Sequence, residues 1–199
     1  MRDVALIGVG QIPVGEHWDM GLRQLALGAI QAALHDAGIE QVDALIVGNA
    51  LGGNLSSQNH LGALIADYAG LRGVSALRVE AADASGGMAL HQGYLAVASG
   101  LAETVLVLGV EKATDRTGSE RDTALATVLD ADYEAGSGAT PAGVAALLMR
   151  RYMHEYGVAL DQFEGFSVNA HANGALNPFA MYRNRLRPGA FAKAPVVAE

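Results

Sequence analysis

Short apolar runs and helix-spaced apolar positions alternate along the first 112 residues. Val4–Val9 is an apolar run containing Gly8 and reads as a buried strand. Leu22, Leu25, Ala26, Ala29, Ile30, Ala33 and Leu34 recur at helical spacing, and Gly38 supplies the stop. Asp43–Gly48 is a second strand. Leu61, Leu64 and Ile65 predict a helix over Gln58–Tyr68, closed by Gly70. Ala76–Val79 is a third strand. A helix over Asp83–Ser99 follows, with Met88, Ala89, Leu95 and Ala96 on its expected inner face. Thr104–Val110 is the fourth strand and the most apolar. Strands alternating with helices at this spacing imply βαβ crossovers and a mainly parallel α/β sheet covered on both faces.

After Lys112 the pattern changes. Thr114–Pro141 is polar and glycine-rich, with a weak helical stretch around Thr123–Leu129. Ala142–Tyr156 predicts a helix stopped by Gly157, and Leu160–Ala172 predicts another. No strand is expected after Val110 unless Val196–Val197 begins one. The expected division is an α/β domain with an incomplete sheet over residues 1–112 and a helical domain over 113–199.

Composition sharpens this picture. Alanine and glycine supply 62 of the 199 residues, whereas aromatics supply 6%. Small side chains in such numbers predict close helix–sheet packing. A net charge of −8 argues against a nucleic-acid partner or an anionic membrane surface. No apolar run reaches the roughly 18 residues of a membrane span, and Met1–Gly10 lacks the pattern of a secretory signal, so a cytoplasmic protein is expected. The charge is uneven: residues 150–199 are net basic, through Arg150, Arg151, Arg183, Arg185, Arg187 and Lys193. Those arginines read either as a face for an anionic ligand or as solvated surface. With no cysteine, disulfides, thiolate metal sites and cysteine nucleophiles are excluded.

Gly8-Val9-Gly10 invites a dinucleotide-binding reading, but Ile12-Pro13 follows where a helix should open, and the third glycine is missing. The six histidines form no recognised metal-ligating pair. The informative stretch is Val79–Leu90, where a strand turns through small residues straight into a helix. Asp83 falls at or next to that helix N-terminus, where unpaired N–H groups and the helix dipole favour an anion. Two readings stand: a reactive or electrostatic carboxylate beside a bound ligand, or a helix N-cap.

The segments Met1–Gly10, Gly15–Trp18, Val79–Leu90, Leu95–Gly100, Gly109–Asp115, Arg150–Gly157 and Asn169–Tyr182 resemble the thiolase superfamily, specifically its sterol-carrier-protein type. The resemblance implies a first α/β half with an inserted helical loop domain, acting on coenzyme A thioesters as substrates, with no bound cofactor or metal. The family's nucleophilic cysteine lies in a Cys-Ala-Ser-Gly-Gly run, and Asp83-Ala84-Ser85-Gly86-Gly87 stands in its place. An aspartate would give a mixed anhydride in place of a transferable thioester, and by analogy with removal of a triad nucleophile the loss is about 10⁴- to 10⁶-fold. The family pattern continues past a segment like Ala194–Glu199 into a last strand and a second half, which are not in this sequence.

Three readings follow from the resemblance. The first is a thiolase-like subunit completed by a second chain that carries the other half, with retro-aldol carbon–carbon cleavage as its leading chemistry and an OB-fold, zinc-ribbon protein as a further partner. The second is a non-catalytic subunit for coenzyme A binding or assembly, and the third is a fragment of a conventional thiolase. Dimerisation through the first half is implied. Arg150, Arg151, Arg183 and Arg185 are the candidates for coenzyme A phosphates, and Met149 is a candidate acyl contact or a core residue. His171 and Asn177 match a family segment without an assigned role. Glu111 lies near the family's active site and is alternatively a partner for Lys112.

Overall fold

The computed structural model describes residues 2–198. Two compact units make up the chain. One comprises Met1–Ile12 and Glu16–Ala124, the other Pro13–Gly15 and Leu125–Glu199.

In the first unit the order is α1 (Leu22–Ala37), β1 (Ala44–Gly48), α2 (Gly52–Leu55), α3 (Leu61–Tyr68), β2 (Ser75–Val79), α4 (Ser85–Ser99) and β3 (Val105–Gly109), with α5 (Gly118–Ala126) at its end. The strands form one parallel sheet in the order β2-β1-β3. Ala44 stands opposite both Ser75 and Val105, and Gly48 opposite both Val79 and Gly109. The chain therefore skips over β1 on its way from β2 to β3, and all three strands end at one rim. Leu45, Val47, Leu106 and Leu108 pack with Leu22, Ile30, Leu61 and Ile65 from α1 and α3. The other face is covered by α4. This is the α/β class that the periodicity implies.

Close packing of α4 follows from its small residues. Its buried stripe is Ser85, Ala89, Gly93 and Ala98, whereas the expected inner residues Met88 and Leu95 are exposed. A Cβ on Gly93 would lie 2.6 Å from Val107 Cγ2, and one on Gly48 would lie 2.6 Å from the Ser85 carbonyl oxygen. A bulkier stripe would hold the helix off the strands. Each carbon–carbon contact contributes only about 0.1–0.2 kcal/mol, so tight approach matters through the number of contacts it allows.

The expected first strand is corrected by the structure. Val4–Val9 carries no strand pairing, and Leu6, Ile7 and Val9 are 78%, 57% and 72% exposed. The segment lies on α1 instead: a Cβ on Gly10 would come within 2.3 Å of the Ala29 oxygen and the Ala33 nitrogen. Its apolar character was legible, but a strand needs a hydrogen-bonded neighbour, and the described residues supply none. Two smaller differences concern α2, which the pattern did not indicate, and the helix expected around Thr123–Leu129, which instead spans Gly118–Ala126.

In the second unit, α6 (Pro141–Tyr156) begins where the Thr140 hydroxyl accepts a hydrogen bond from the Gly143 N–H at 3.1 Å. It ends at Gly157, whose φ of 63° suits glycine. A 3₁₀ turn at Leu160–Phe163 leads into α7 (Glu164–Leu176). Tyr152 packs on Tyr156 and edge-on to Phe163, with ring centroids 4.7 and 6.1 Å apart. No residue of α6 or α7 is fully buried. Among the described residues no helix is long and apolar enough to cross a membrane.

Candidate functional site

The turn between β2 and α4 holds a non-glycine residue in the left-handed region, as the loop at Ser57 also does. Ala82 has φ 47°, a left-handed conformation that costs a residue with a Cβ roughly 1–2 kcal/mol. Several bonds hold it there. The Ser85 hydroxyl donates to the Ala82 carbonyl at 2.6 Å and accepts from the Ala81 N–H at 2.9 Å. The Ala82 N–H donates to Glu80 Oε1 at 2.6 Å. Ala82–Ala84 forms a single 3₁₀ turn, with Asp83 at its centre and exposed.

The helix-cap reading of Asp83 is thereby corrected. Ala84 occupies the N-cap position of α4, and no side chain caps it. The left-handed Ala82 inserts a 3₁₀ turn ahead of the helix, and Ser85 ties that turn together through the Ala81 N–H and the Ala82 carbonyl. Beside Asp83 the surface is open. A Cβ placed on Gly86 or Gly87 would meet nothing within 4 Å. A carboxylate on a rigid turn, next to a helix start stripped of side chains, can take a proton from a docked ligand or stand against developing charge.

Next to this turn on the same rim lies a polar cluster of which sequence reasoning named Glu111 but missed Asn49 and Arg78. The Glu111 carboxylate accepts hydrogen bonds from Asn49 Nδ2 at 3.0 Å, the Ala50 N–H at 3.0 Å and the Leu51 N–H at 2.8 Å. Asn49, 2% exposed, also donates to the Val110 carbonyl at 2.8 Å and accepts from the Gly52 N–H at 2.9 Å. Arg78 closes the cluster by donating to the carbonyls of Asn49 and Ala50, at 3.0 and 2.8 Å. Lys112 pairs with Asp115 instead of Glu111, which corrects the alternative partner for Glu111. A signal was available: Asn49 and Glu111 follow the ends of adjacent strands within two residues, and parallel strands bring such positions together.

The basic candidates belong to the second unit. Met149 and Arg150 line a cavity of about 430 Å³ with Met153, Leu160 and Val196. Arg151 is committed to Glu155, donating through Nε at 2.7 Å. Arg183 and Arg185 are exposed in an irregular stretch. The carbonyl of Asn184 between them lies 3.0 Å from His171 Nδ1. Asn177, the other residue without an assigned role, accepts from the Phe179 N–H at 2.9 Å and shapes the turn after α7.

A parallel sheet covered on both faces, with a strained strand-to-helix turn over its C-terminal rim, defines an α/β protein with a candidate site at that rim. Residues 4–188 match the family described as Thiolase, N-terminal domain, and the chain belongs to that family. It is 45% identical over 184 residues to an acetyl-CoA acetyltransferase of Methanothermobacter thermautotrophicus, covering 92% of this chain and 48% of that protein. It is 30% identical over 194 residues to a steroid side-chain-cleaving aldolase of Thermomonospora curvata, covering 91% and 47%. Among solved structures, the Ltp2-ChsH2(DUF35) aldolase superposes with a TM-score of 0.75 at 25% identity, covering 98% of this chain and 50% of that one. The chain thus spans about half the length of the relatives it matches.

Proposed function

We propose that this chain is the first half of an enzyme acting on coenzyme A thioesters, that a second polypeptide completes its site, and that the reaction is retro-aldol cleavage of a carbon–carbon bond. The observation that carries the reading is Asp83, exposed on the strained turn whose sequence resembles the family's nucleophile motif. A carboxylate there suits proton transfer better than acyl transfer. Similarity to a protein and to a solved structure described as aldolases supports the chemistry.

For a 3-hydroxyacyl thioester, Asp83 takes the hydroxyl proton. The O–H electron pair becomes the new carbonyl, and the bond between C2 and C3 breaks. Its electrons pass to the thioester as an enolate, which a proton returns to the shortened acyl thioester. Exposed Arg183 and Arg185 are the readier phosphate partners, because Arg151 is already paired with Glu155.

The test uses the protein isolated from its own cells with whatever chain accompanies it. The complex should release an aldehyde or ketone from 3-hydroxyacyl-CoA. Asp83→Asn should lower kcat by about 10²- to 10⁴-fold with little change in KM. Unchanged kcat in that variant would remove Asp83 from the chemistry and favour the non-catalytic binding or assembly subunit.

A further inference from the structure

The turn that carries Asp83 is seated on one bare Cα. Gly48 ends β1, in register with Val79 on one side and Gly109 on the other. The first residues of α4 rest directly on it: a Cβ there would lie 2.6 Å from the Ser85 carbonyl oxygen and 2.9 Å from Gly86 Cα. Both atoms are backbone, so neither can swing aside as the tip of a side chain does. Ser85 is also the residue whose hydroxyl joins the Ala81 N–H to the Ala82 carbonyl. Those two bonds close the turn from Ala81 to Ser85, with Asp83 inside it. How closely Ser85 approaches Gly48 therefore sets the height of Asp83 above the sheet.

The seat is braced on the strand side. The Gly48 carbonyl accepts from the Val110 N–H at 3.2 Å, and the Asn49 N–H donates to the Val79 carbonyl at 3.1 Å. Beyond Gly48 the chain runs between two charges. Arg78 donates to the carbonyls of Asn49 and Ala50, and Glu111 accepts from the N–H groups of Ala50 and Leu51. This loop is thus pinned through its donors and its acceptors together. A side chain placed on Gly48 displaces the start of α4 and leaves the end of β1 where it is.

We propose that Gly48 is a positioning residue for Asp83, and that the Arg78–Glu111 clamp keeps its seat from yielding. The inference rests on the role given to Asp83 in the preceding section and deepens it. Ordinary contact begins at 3.4 Å, so a Cβ on Gly48 lifts the Ser85 carbonyl by about 0.8 Å, and a reacting group misplaced by about 1 Å can lose about 10²-fold in rate.

Two kinds of measurement test the seat, both on the protein isolated from its own cells with whatever chain accompanies it. In Gly48→Ala, kcat for 3-hydroxyacyl-CoA should fall about 10- to 100-fold with little change in KM. Combined with Asp83→Asn, the same substitution should lower kcat by less than about threefold more, because its effect passes through the carboxylate already removed. A general structural defect would multiply the two losses. Hydrogen exchange reads the turn without any substrate. The Ala81 amide, bonded to Ser85 Oγ, and the Ala84 amide, bonded to the Ala81 carbonyl, should exchange at least about 10-fold faster in Gly48→Ala. Gly109→Ala adds a Cβ in the same register row where nothing lies within 4 Å, and it should leave both amides as they were. Glu111→Gln weakens one arm of the clamp without adding bulk, so both amides should exchange at least about threefold faster there. Turn amides unchanged in Gly48→Ala, or in Glu111→Gln where Gly48→Ala does not fold, would overturn the seat whatever the activity. Faster amides with a kcat loss that persists in full beside Asp83→Asn would overturn positioning through Asp83. Full activity in Asp83→Asn, with faster turn amides in Gly48→Ala, would support the seat and count against the functional reading.

Discussion

Removing the Glu111 carboxylate should loosen the rim of the sheet by an amount the structure bounds. Glu111→Ala deletes three accepted hydrogen bonds, at 2.8 to 3.0 Å. The Ala50 N–H is exposed, so water replaces that bond at little cost. Asn49 Nδ2 keeps the Val110 carbonyl as its second partner. The Leu51 N–H is half-buried and keeps none of its own. An unsatisfied buried donor costs about 1–3 kcal/mol, and a charge-assisted bond to a half-exposed carboxylate less than its full value. The sum is about 2 kcal/mol. For a chain of this length, 1 kcal/mol moves the midpoint by about 2–4 °C, so Tm should fall by about 4–8 °C. Glu111→Gln, which keeps one acceptor oxygen, should fall by about half as much. Thermal unfolding followed by circular dichroism measures both. Because Arg78 grips the carbonyls of Asn49 and Ala50, two of the three residues whose donors face Glu111, combining Glu111→Gln with Arg78→Ala should be non-additive by more than about 0.5 kcal/mol. A Tm within about 1 °C of the parent in Glu111→Ala, or strict additivity in the pair, would refute the clamp.

Two further outcomes are expected. Ala82→Gly relieves a φ of 47° while adding unfolded-state entropy, so unit 1 should become more stable by up to about 1 kcal/mol, checked by urea unfolding. The Asp43 carboxylate accepts the N–H groups of Thr104 and Glu103 at 2.9 Å, which hold its pKa below the usual aspartate range. A carboxylate lowered in this way stabilises the fold fully above its unfolded pKa of about 3.9 and loses that contribution as pH falls through the lower folded value. The stability difference between the parent and Asp43→Ala should therefore hold near neutral pH and shrink below about pH 4, measured by urea midpoints across that range.

Local chemistry explains which elements the sequence disclosed. The helices ending at Gly38 and Gly157 were legible because an apolar stripe and a left-handed glycine stop are both local features. Ala44–Gly48 and Val105–Gly109 were legible as strands because buried parallel strands are apolar on both faces. Val4–Val9 has the same composition and yet is no strand, since pairing depends on a neighbour and not on the run itself. The turn at Asp83 was visible as a motif, but its hydrogen bonding was not. Ser85 holds that turn through two bonds, and a serine in a glycine-rich stretch leaves no periodic trace. The Asn49–Arg78–Glu111 cluster joins residues 29 to 62 positions apart, beyond the reach of any helical or strand period.

Because the strands run the same way, the molecule has two rims with different demands on evolution. The rim carrying Asn49, Asp83 and Glu111 depends on particular side chains. At the opposite rim the chain reverses through Gly38, Gly70, Gly73 and Gly100, all with φ between 67° and 79°. What matters there is the ability to turn, and no Cβ at Gly38, Gly70 or Gly73 would meet another atom. A graft of a few residues, or a peptide tag, placed at Arg72-Gly73 should leave the chemistry at the far rim untouched. Descendants of this chain are free to lengthen on one side and are held to their wording on the other.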